Sequence, residues 1–289
     1  GDAEIVILNL DIVACGNSES DLRLIVAYVY YHDVLGEYHC NSIVYNGVSG
    51  EVVDIGLMYF TSSPIVDIDI VSDYRFPSPG ASPYSVGILF AESKAATDEL
   101  KFSLSTDGGL WQDFPIVVRS TSSYIRELSL AYAVCPSMPQ GRYFAAWAEY
   151  PGADPRLGQV YVAYTYDGIA GDFTTPLRID ALSPLMQGKC SNPSIACQFT
   201  DLDNNMGNLT TIVMVQRAKD GSPDDGDIMG FYNKESVFTN NWDVLSVAYG
   251  ANNEIQPDIT FDPWYCHFLL TYCDSTAQKL PYRINHMDL

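Results

Sequence analysis

The chain has 289 residues, of which 47% are hydrophobic and 18% are charged. That balance excludes a disordered chain and supplies enough apolar residues for a large core. The 36 Asp and Glu residues against 15 Lys and Arg residues give a formal net charge of −21. Such an excess of negative charge repels phosphate backbones and anionic lipids, so we expect no nucleic-acid binding. We also expect no membrane insertion, because no apolar run has the length of a transmembrane helix.

A pattern of alternating strands recurs along the chain with a period of about sixty residues. An Asn-Gly or Asp-Gly turn follows an alternating strand at Asn46-Gly47, Asp107-Gly108 and Asp167-Gly168. The unit boundaries predicted from this register are 1–60, 61–121, 122–182, 183–250 and 251–289. Four antiparallel strands in each unit predict an all-β fold, a β-propeller with about five visible blades. We expect residues 1–289 to form a single domain of this kind.

Proline residues mark the start of several units. Pro64, Pro193 and Pro257 each precede an apolar run, and we expect each to precede the first strand of its blade.

The polar residues of these first strands are the candidate site. The first strand of a propeller blade lines the central channel, so its polar side chains would face an axial ligand. The catalytic candidates are the carboxylates Asp67, Asp69, Glu127 and Asp258. The ligand-binding candidates are Asp11, Arg126 and Asp262. Paired carboxylates across a channel are what glycoside cleavage requires, whereas the alternative is a polar, hydrated lining without a ligand.

An acidic loop in the fourth unit is a candidate calcium site. Asp201, Asp203 and Asn205 place oxygen ligands at alternate positions, which lets one loop surround a hard cation. The alternative is a solvated acidic turn.

The seven cysteines and the absence of an initial Met predict an exported protein with disulfides, with buried thiols as the alternative. Cys190 and Cys197 could bridge only if the chain reverses between them, because seven residues of straight strand span more than about 20 Å. Pro193 is a candidate for that reversal. HFLLTY, in contrast, has the pattern of a continuous strand, so we expect Cys266 and Cys273 to bond elsewhere or to remain free.

The segment STDGGLW, from Ser105 to Trp111, resembles the Asp-box turn of bacterial-neuraminidase-repeat propellers. The motif there is Ser-x-Asp-x-Gly-x-x-Trp, and this chain has one residue fewer before Trp111. The resemblance implies that Asp107 braces a hairpin and that Trp111 packs between strands. It implies fold rather than activity, because the box lies away from the catalytic centre of the family's sialidases, whose early Arg-Ile-Pro signature does not occur here.

These observations favour an exported, non-catalytic binding or adhesion module for carbohydrate or protein at the cell surface. The alternatives are a sialidase-like exo-glycosidase and a structural subunit of a larger cell-surface assembly. The fold by itself does not choose among them.

Overall fold

The computed structural model describes residues 6–16, 22–72, 85–105, 109–112, 114–135, 138–152, 154, 157–166, 172–199, 209–219, 226–234, 240–248, 253–262 and 267–274. Over these ranges the regular structure is β-strand, apart from a 3-10 turn at Asp180–Leu182. The described segments contain no helix with the length and apolarity needed to cross a membrane.

The chain forms two compact units, residues 1–122 with 165–172 and residues 123–164 with 173–289. Unit 1 contains two four-stranded sheets. The first sheet consists of β1 (Val6–Cys15), β2 (Arg23–His32), β3 (Glu37–Asn46) and β4 (Val52–Thr61). The second consists of β5 (Ile65–Ser72), β6 (Val86–Ser93), β7 (Asp98–Ser105) and β8 (Ile116–Thr121).

Unit 2 contains two more four-stranded sheets and a described pair of strands. The third sheet consists of β9 (Tyr124–Cys135), β10 (Met138–Tyr150), β11 (Gln159–Tyr164) and β12 (Leu177–Arg178). The fourth consists of β13 (Cys190–Phe199), β14 (Leu209–Ala218), β15 (Gly226–Asn233) and β16 (Asp243–Ala248). The pair consists of β17 (Glu254–Asp262) and β18 (His267–Asp274).

Each four-stranded sheet is an antiparallel meander whose strands pair in chain order. The turn at Asn46 shows why the sequence reverses there: its side-chain oxygen accepts hydrogen bonds from the backbone N–H groups of Val48 and Ser49, at 2.9 and 3.0 Å. Successive strands that reverse in this way are the repeated four-stranded blades that the sequence predicts.

The cores lie between neighbouring sheets of each unit. In unit 1, one face of β2 contributes Ile25, Ala27 and Val29 to a cluster that also contains Ile88 and Phe90 of β6. These positions follow the period-two alternation of β2, so the alternation places the apolar side chains on the face that meets the second sheet. In unit 2, one cluster joins the third and fourth sheets and another joins the fourth sheet to β17 and β18.

Trp111 packs against the core of unit 1. Its indole Nε1 donates a hydrogen bond to Ser42 Oγ at 2.9 Å. The segment between β7 and β8 approaches the first sheet so closely here that a Cβ on Gly56 would lie 2.3 Å from the carbonyl oxygen of Gly109. Asp107 and Asp167, the turn residues of the resemblance, lie outside the described residues.

Two expectations about strand boundaries are wrong. Pro193 and Pro257 lie inside β13 and β17 rather than before them, whereas Pro64 does precede β5. Because Cys190 and Cys197 both belong to β13, no chain reversal separates them and a bridge between them is excluded. Both are buried free thiols, and Cys273 is also free. Cys266 lies outside the described residues.

Candidate functional site on the first strands

A β-bulge interrupts every described first strand near its start. In unit 1 the pairing with the second strand shifts between Ile7 and Asn9 and between Ile65 and Asp67. In unit 2 two residues of each first strand oppose one residue of the second strand. These bulge pairs are Glu127-Leu128 in β9, Asn192-Pro193 in β13 and Gln256-Pro257 in β17. A bulge inserts one residue and re-aims the side chains around it, and it recurs here with the repeat.

The first residue of each bulge pair in unit 2 has a left-handed backbone. The φ angles are 58° at Glu127, 47° at Asn192 and 54° at Gln256. We call these three residues the bulge belt. Such a backbone costs a residue with a Cβ about 1–3 kcal/mol, and a following proline also favours extended backbone at Asn192 and Gln256. A fold that keeps a polar residue in this conformation at successive equivalent positions motivates a functional hypothesis.

Hydrogen bonds connect the members of the bulge belt. Glu127 Oε2 accepts the backbone N–H of Asn192 at 2.6 Å and also the hydroxyl of Tyr150. The side-chain amide of Asn192 donates to Gln216 Oε1 at 3.0 Å, and the backbone N–H of Gln256 donates to the same oxygen at 3.3 Å. Burial, reinforced by the charge of Glu127, raises the pKa of Tyr150, so its hydroxyl keeps its proton and remains a donor.

Serine side chains brace the strands beneath the belt. Ser129 Oγ accepts the backbone N–H of Ile195, and Ser194 Oγ accepts that of Ile259, both at 3.0 Å. Ser194 also donates to Asp258 Oδ1 at 3.0 Å. Each brace joins the first strand of one sheet to the first strand of the next, so the belt rests on a hydrogen-bonded and ordered support.

The belt presents a carboxylate and two carboxamides from neighbouring strands. A carboxamide both donates and accepts hydrogen bonds, and a carboxylate accepts them. A sugar hydroxyl also does both, so this set is chemically matched to vicinal hydroxyls of a neutral ligand. Within the described residues there is no group of three or more His, Cys, Asp or Glu side chains that could hold a metal ion.

The candidates that the sequence places in unit 2 divide between the belt and its surroundings. Glu127 belongs to the belt, and Asp258 is an exposed residue two positions after Gln256. Arg126 is a neighbour of Glu127, with its guanidinium 5.6 Å from the ring centre of Tyr124. Asp262 ends β17, and its side chain lies outside the described part of the chain.

The candidates in unit 1 are partners in the contact between β1 and β5. Asp11 accepts the backbone N–H of Ile12 at 2.8 Å and that of Ile70 at 2.9 Å. Asp67 accepts from the side chain of Asn9 at 3.0 Å and from the N–H of Ile68 at 2.9 Å. These two carboxylates therefore serve as hydrogen-bond acceptors between and within strands. Asp69 lies half-buried in the same strand as Asp67.

Asp201, Asp203 and Asn205 lie outside the described residues, so the calcium site stays a prediction. Sequence reasoning missed Asn192, Gln256 and Gln216. The available signal was an Asn-Pro or Gln-Pro pair inside a strand-like run, because a proline there indicates a bulge.

Two solved structures resemble this chain in fold. An endo-arabinase from Bacteroides thetaiotaomicron VPI-5482 aligns over 96% of this chain and 94% of its own, with a TM-score of 0.50 and 10% identity. An alpha-L-arabinanase from Penicillium chrysogenum, solved with arabinobiose, aligns over 87% of this chain and 67% of its own, with a TM-score of 0.53 and 11% identity. No protein-family model matches the chain, and no curated protein matches its sequence. The fold likeness confirms the predicted class, an all-β propeller built from four-stranded antiparallel blades.

Proposed function

We propose that the chain is a carbohydrate-binding propeller of an exported or cell-surface protein, and that the bulge belt binds a neutral glycan. The observation that carries this proposal is the recurrence of Glu127, Asn192 and Gln256 in a left-handed backbone at the same bulge of successive first strands. A left-handed backbone at these polar residues costs free energy, and the fold keeps it at three equivalent positions. Ligand binding by their side chains is the simplest explanation.

Chemistry and charge support a neutral ligand. The net charge of −21 disfavours anionic polymers, whereas the belt offers carboxamide and carboxylate groups that suit hydroxyls. The two fold neighbours carry arabinan-degrading activity in their names, so arabino-oligosaccharides are the first probes to use.

Binding without cleavage is the reading that we favour. The Glu127 carboxylate accepts a backbone N–H and the Tyr150 hydroxyl, which makes it part of the hydrogen-bonded support of the belt. A general acid must instead give a proton to the leaving group. Asp258 also takes part in a hydrogen bond within the fold, because its Oδ1 accepts from the hydroxyl of Ser194.

Hydrolysis of a glycoside is the second candidate, favoured by the activities of the fold neighbours and by the carboxylates on the first strands. Reducing-sugar release separates it from binding alone. If the wild-type chain releases sugar from the oligosaccharide that it binds, and Glu127→Gln abolishes the release, the non-catalytic proposal is wrong.

The test of binding is calorimetric titration with arabinobiose, longer arabino-oligosaccharides and neutral hexose oligosaccharides. We expect the double variant Asn192→Gly and Gln256→Gly to lose affinity for whichever probe the wild type binds, because the glycines keep the backbone but remove the carboxamides. Gln187→Gly, another exposed glutamine of unit 2, is the matched control and should bind as the wild type does. If the double variant binds equally well, the belt is not the site. If no probe binds to the wild type, the proposed ligand class is wrong.

A further inference from the structure

Gln216 links the bulges of two neighbouring first strands. It pairs with Ser191 of β13, the residue directly before Asn192 in the bulge belt. Its side chain lies on the face of β14 that also holds Ile212 and Met214, and this face packs against β17 and β18. Gln216 therefore reaches both the bulge of its own sheet and the bulge of β17.

The third and fourth sheets complete the same contact in different ways. In the third sheet, the Glu127 carboxylate itself accepts the backbone N–H of the next bulge residue, Asn192. The residue equivalent to Gln216 there is Ala148, which has no side-chain acceptor. The Asn192 side chain is one methylene shorter than that of Glu127, and in the fourth sheet Gln216 accepts the N–H of Gln256 instead. Gln216 thus supplies the acceptor that the shorter side chain does not provide.

The hydrogen bonds of Gln216 determine which atom of Asn192 is left for a ligand. The backbone N–H of Gln256 can only donate, so the Gln216 atom that it meets at 3.3 Å is the oxygen Oε1. The Asn192 atom that lies 3.0 Å from this oxygen must also be a donor, and it is the nitrogen Nδ2. Asn192 Oδ1 is the other hydrogen-bonding atom of this side chain, and it accepts no hydrogen bond from the residues that the structure describes.

A glycine on the next strand holds Gln216 in this orientation. A Cβ on Gly226, the first residue of β15, would lie 3.1 Å from Cγ and 3.2 Å from Nε2 of Gln216. The glutamine side chain therefore packs directly against the backbone of β15, in space that a larger residue would occupy. Packing on one side and two hydrogen bonds on the other leave its amide little freedom to turn.

We propose that Gln216 is a positioning residue of the bulge belt, which holds Asn192 so that its side-chain oxygen faces the ligand. The inference rests on the proposed binding of a neutral glycan at the belt, and it names what that glycan must offer. Because the Asn192 oxygen can only accept, the ligand must donate a hydrogen bond to it. A sugar hydroxyl donates, whereas an ether oxygen or a uronate carboxylate does not, so the belt selects a glycan with a free hydroxyl at this point.

The first experiment measures amide hydrogen exchange in the protein without ligand. The Asn192 NH₂ resonances are identified by their loss in Asn192→Gly, and their exchange with water is compared between the wild type, Gln216→Met and Gln216→Glu. Methionine keeps the length of the side chain but removes the acceptor, so we expect exchange to be about two- to tenfold faster, the effect of one hydrogen bond. Glutamate keeps an acceptor oxygen and should leave the exchange slow. Unchanged exchange in Gln216→Met overturns the proposal, whether or not a glycan binds.

The second experiment is calorimetric titration with the tightest-binding of arabinobiose, longer arabino-oligosaccharides and neutral hexose oligosaccharides. We expect Gln216→Met to bind at least about threefold more weakly than the wild type, and Gln216→Glu to retain most of the affinity. Gln159→Met is the matched control in unit 2. The Gln159 oxygen accepts from the Tyr161 hydroxyl at 3.2 Å, away from the belt, so this variant should bind as the wild type does.

Equal affinity in the wild type and Gln216→Met overturns the positioning role. An equal loss in the Met and Glu variants also overturns it, because the acceptor is then not the cause. If none of these probes binds to the wild type, the proposed function fails and the ligand-facing role fails with it, while the exchange data still decide the orientation of Asn192. Circular dichroism checks that the variants are folded, and Gln216→Ala replaces Gln216→Met if the methionine variant does not fold.

Discussion

Replacing Gln256 by glycine should make the chain more stable while it weakens ligand binding. The φ angle of Gln256 is 54°, and its side chain is exposed. Releasing a non-glycine residue from the left-handed region returns about 1–2 kcal/mol. The greater freedom of glycine in the unfolded chain costs about 0.4–1 kcal/mol. The backbone hydrogen bond from Gln256 to Gln216 is retained, so we expect Gln256→Gly to stabilise unit 2 by about 1 kcal/mol.

Urea unfolding measures this difference, and Gln256→Ala is the matched control. Alanine removes the same side chain but keeps the Cβ that strains the backbone, so it should give no gain in the free energy of unfolding. Both variants should bind the oligosaccharide more weakly than the wild type does. If glycine is no more stable than alanine, the backbone at Gln256 is not strained and the argument from strain to function is wrong.

Three further predictions concern buried groups. Lys101→Met should destabilise the fold by about 3–5 kcal/mol, because it leaves the Glu92 carboxylate, 2% exposed, without its ion-pair partner. In urea unfolding, adding Glu92→Gln to Lys101→Met should restore most of the lost stability. A double variant as unstable as Lys101→Met alone would contradict the pairing. Burial raises the pKa of Glu254 above its value in the unfolded chain. The ionised side chain therefore destabilises the fold, an effect that is absent below the unfolded-state pKa and grows as the pH rises through the folded-state pKa. Glu254→Gln should raise the melting temperature at neutral pH but not in acid, and a pH-independent effect would contradict this. Burial raises the pKa of the Cys190 thiol and raises that of Cys197 to about 12. In the folded protein both thiols should therefore resist alkylation. An unreduced peptide containing a Cys190–Cys197 bridge would contradict the structure.

Most of the fold could be predicted from the sequence because period-two alternation and turn residues report directly on strands. The alternation in β2 separates a buried face from a more exposed one, and the turn after Asn46 lies where the sequence predicts it. The strand containing Pro193 was harder to predict from the sequence, because proline is rare in the interior of a strand. There the bulge accommodates the proline, and the strand continues through Cys197.

The candidate site was only partly predictable. Glu127 was identified by residue type and by its place on a first strand, and the belt contains it. Asn192 and Gln256 are neutral and so carry no such signal. The proline after each of them indicates a bulge, but the left-handed backbone at Asn192 and Gln256 also depends on how the two strands pair. The carboxylates of Asp11 and Asp67 lie on first strands, as predicted. Their long-range partners, the backbone N–H of Ile70 and the side chain of Asn9, come from a contact between strands that are far apart in the chain.

The central claim is that the bulge belt binds a neutral glycan, and side-chain amide NMR tests it most directly. The NH₂ resonances of Asn192 and Gln256 are assigned by their glycine variants, and the wild-type spectrum is followed while the best-binding oligosaccharide is added. The proposal predicts that both pairs of resonances shift with one saturation curve that matches calorimetry. Saturation that leaves both pairs unmoved, with shifts confined to other residues, would contradict it.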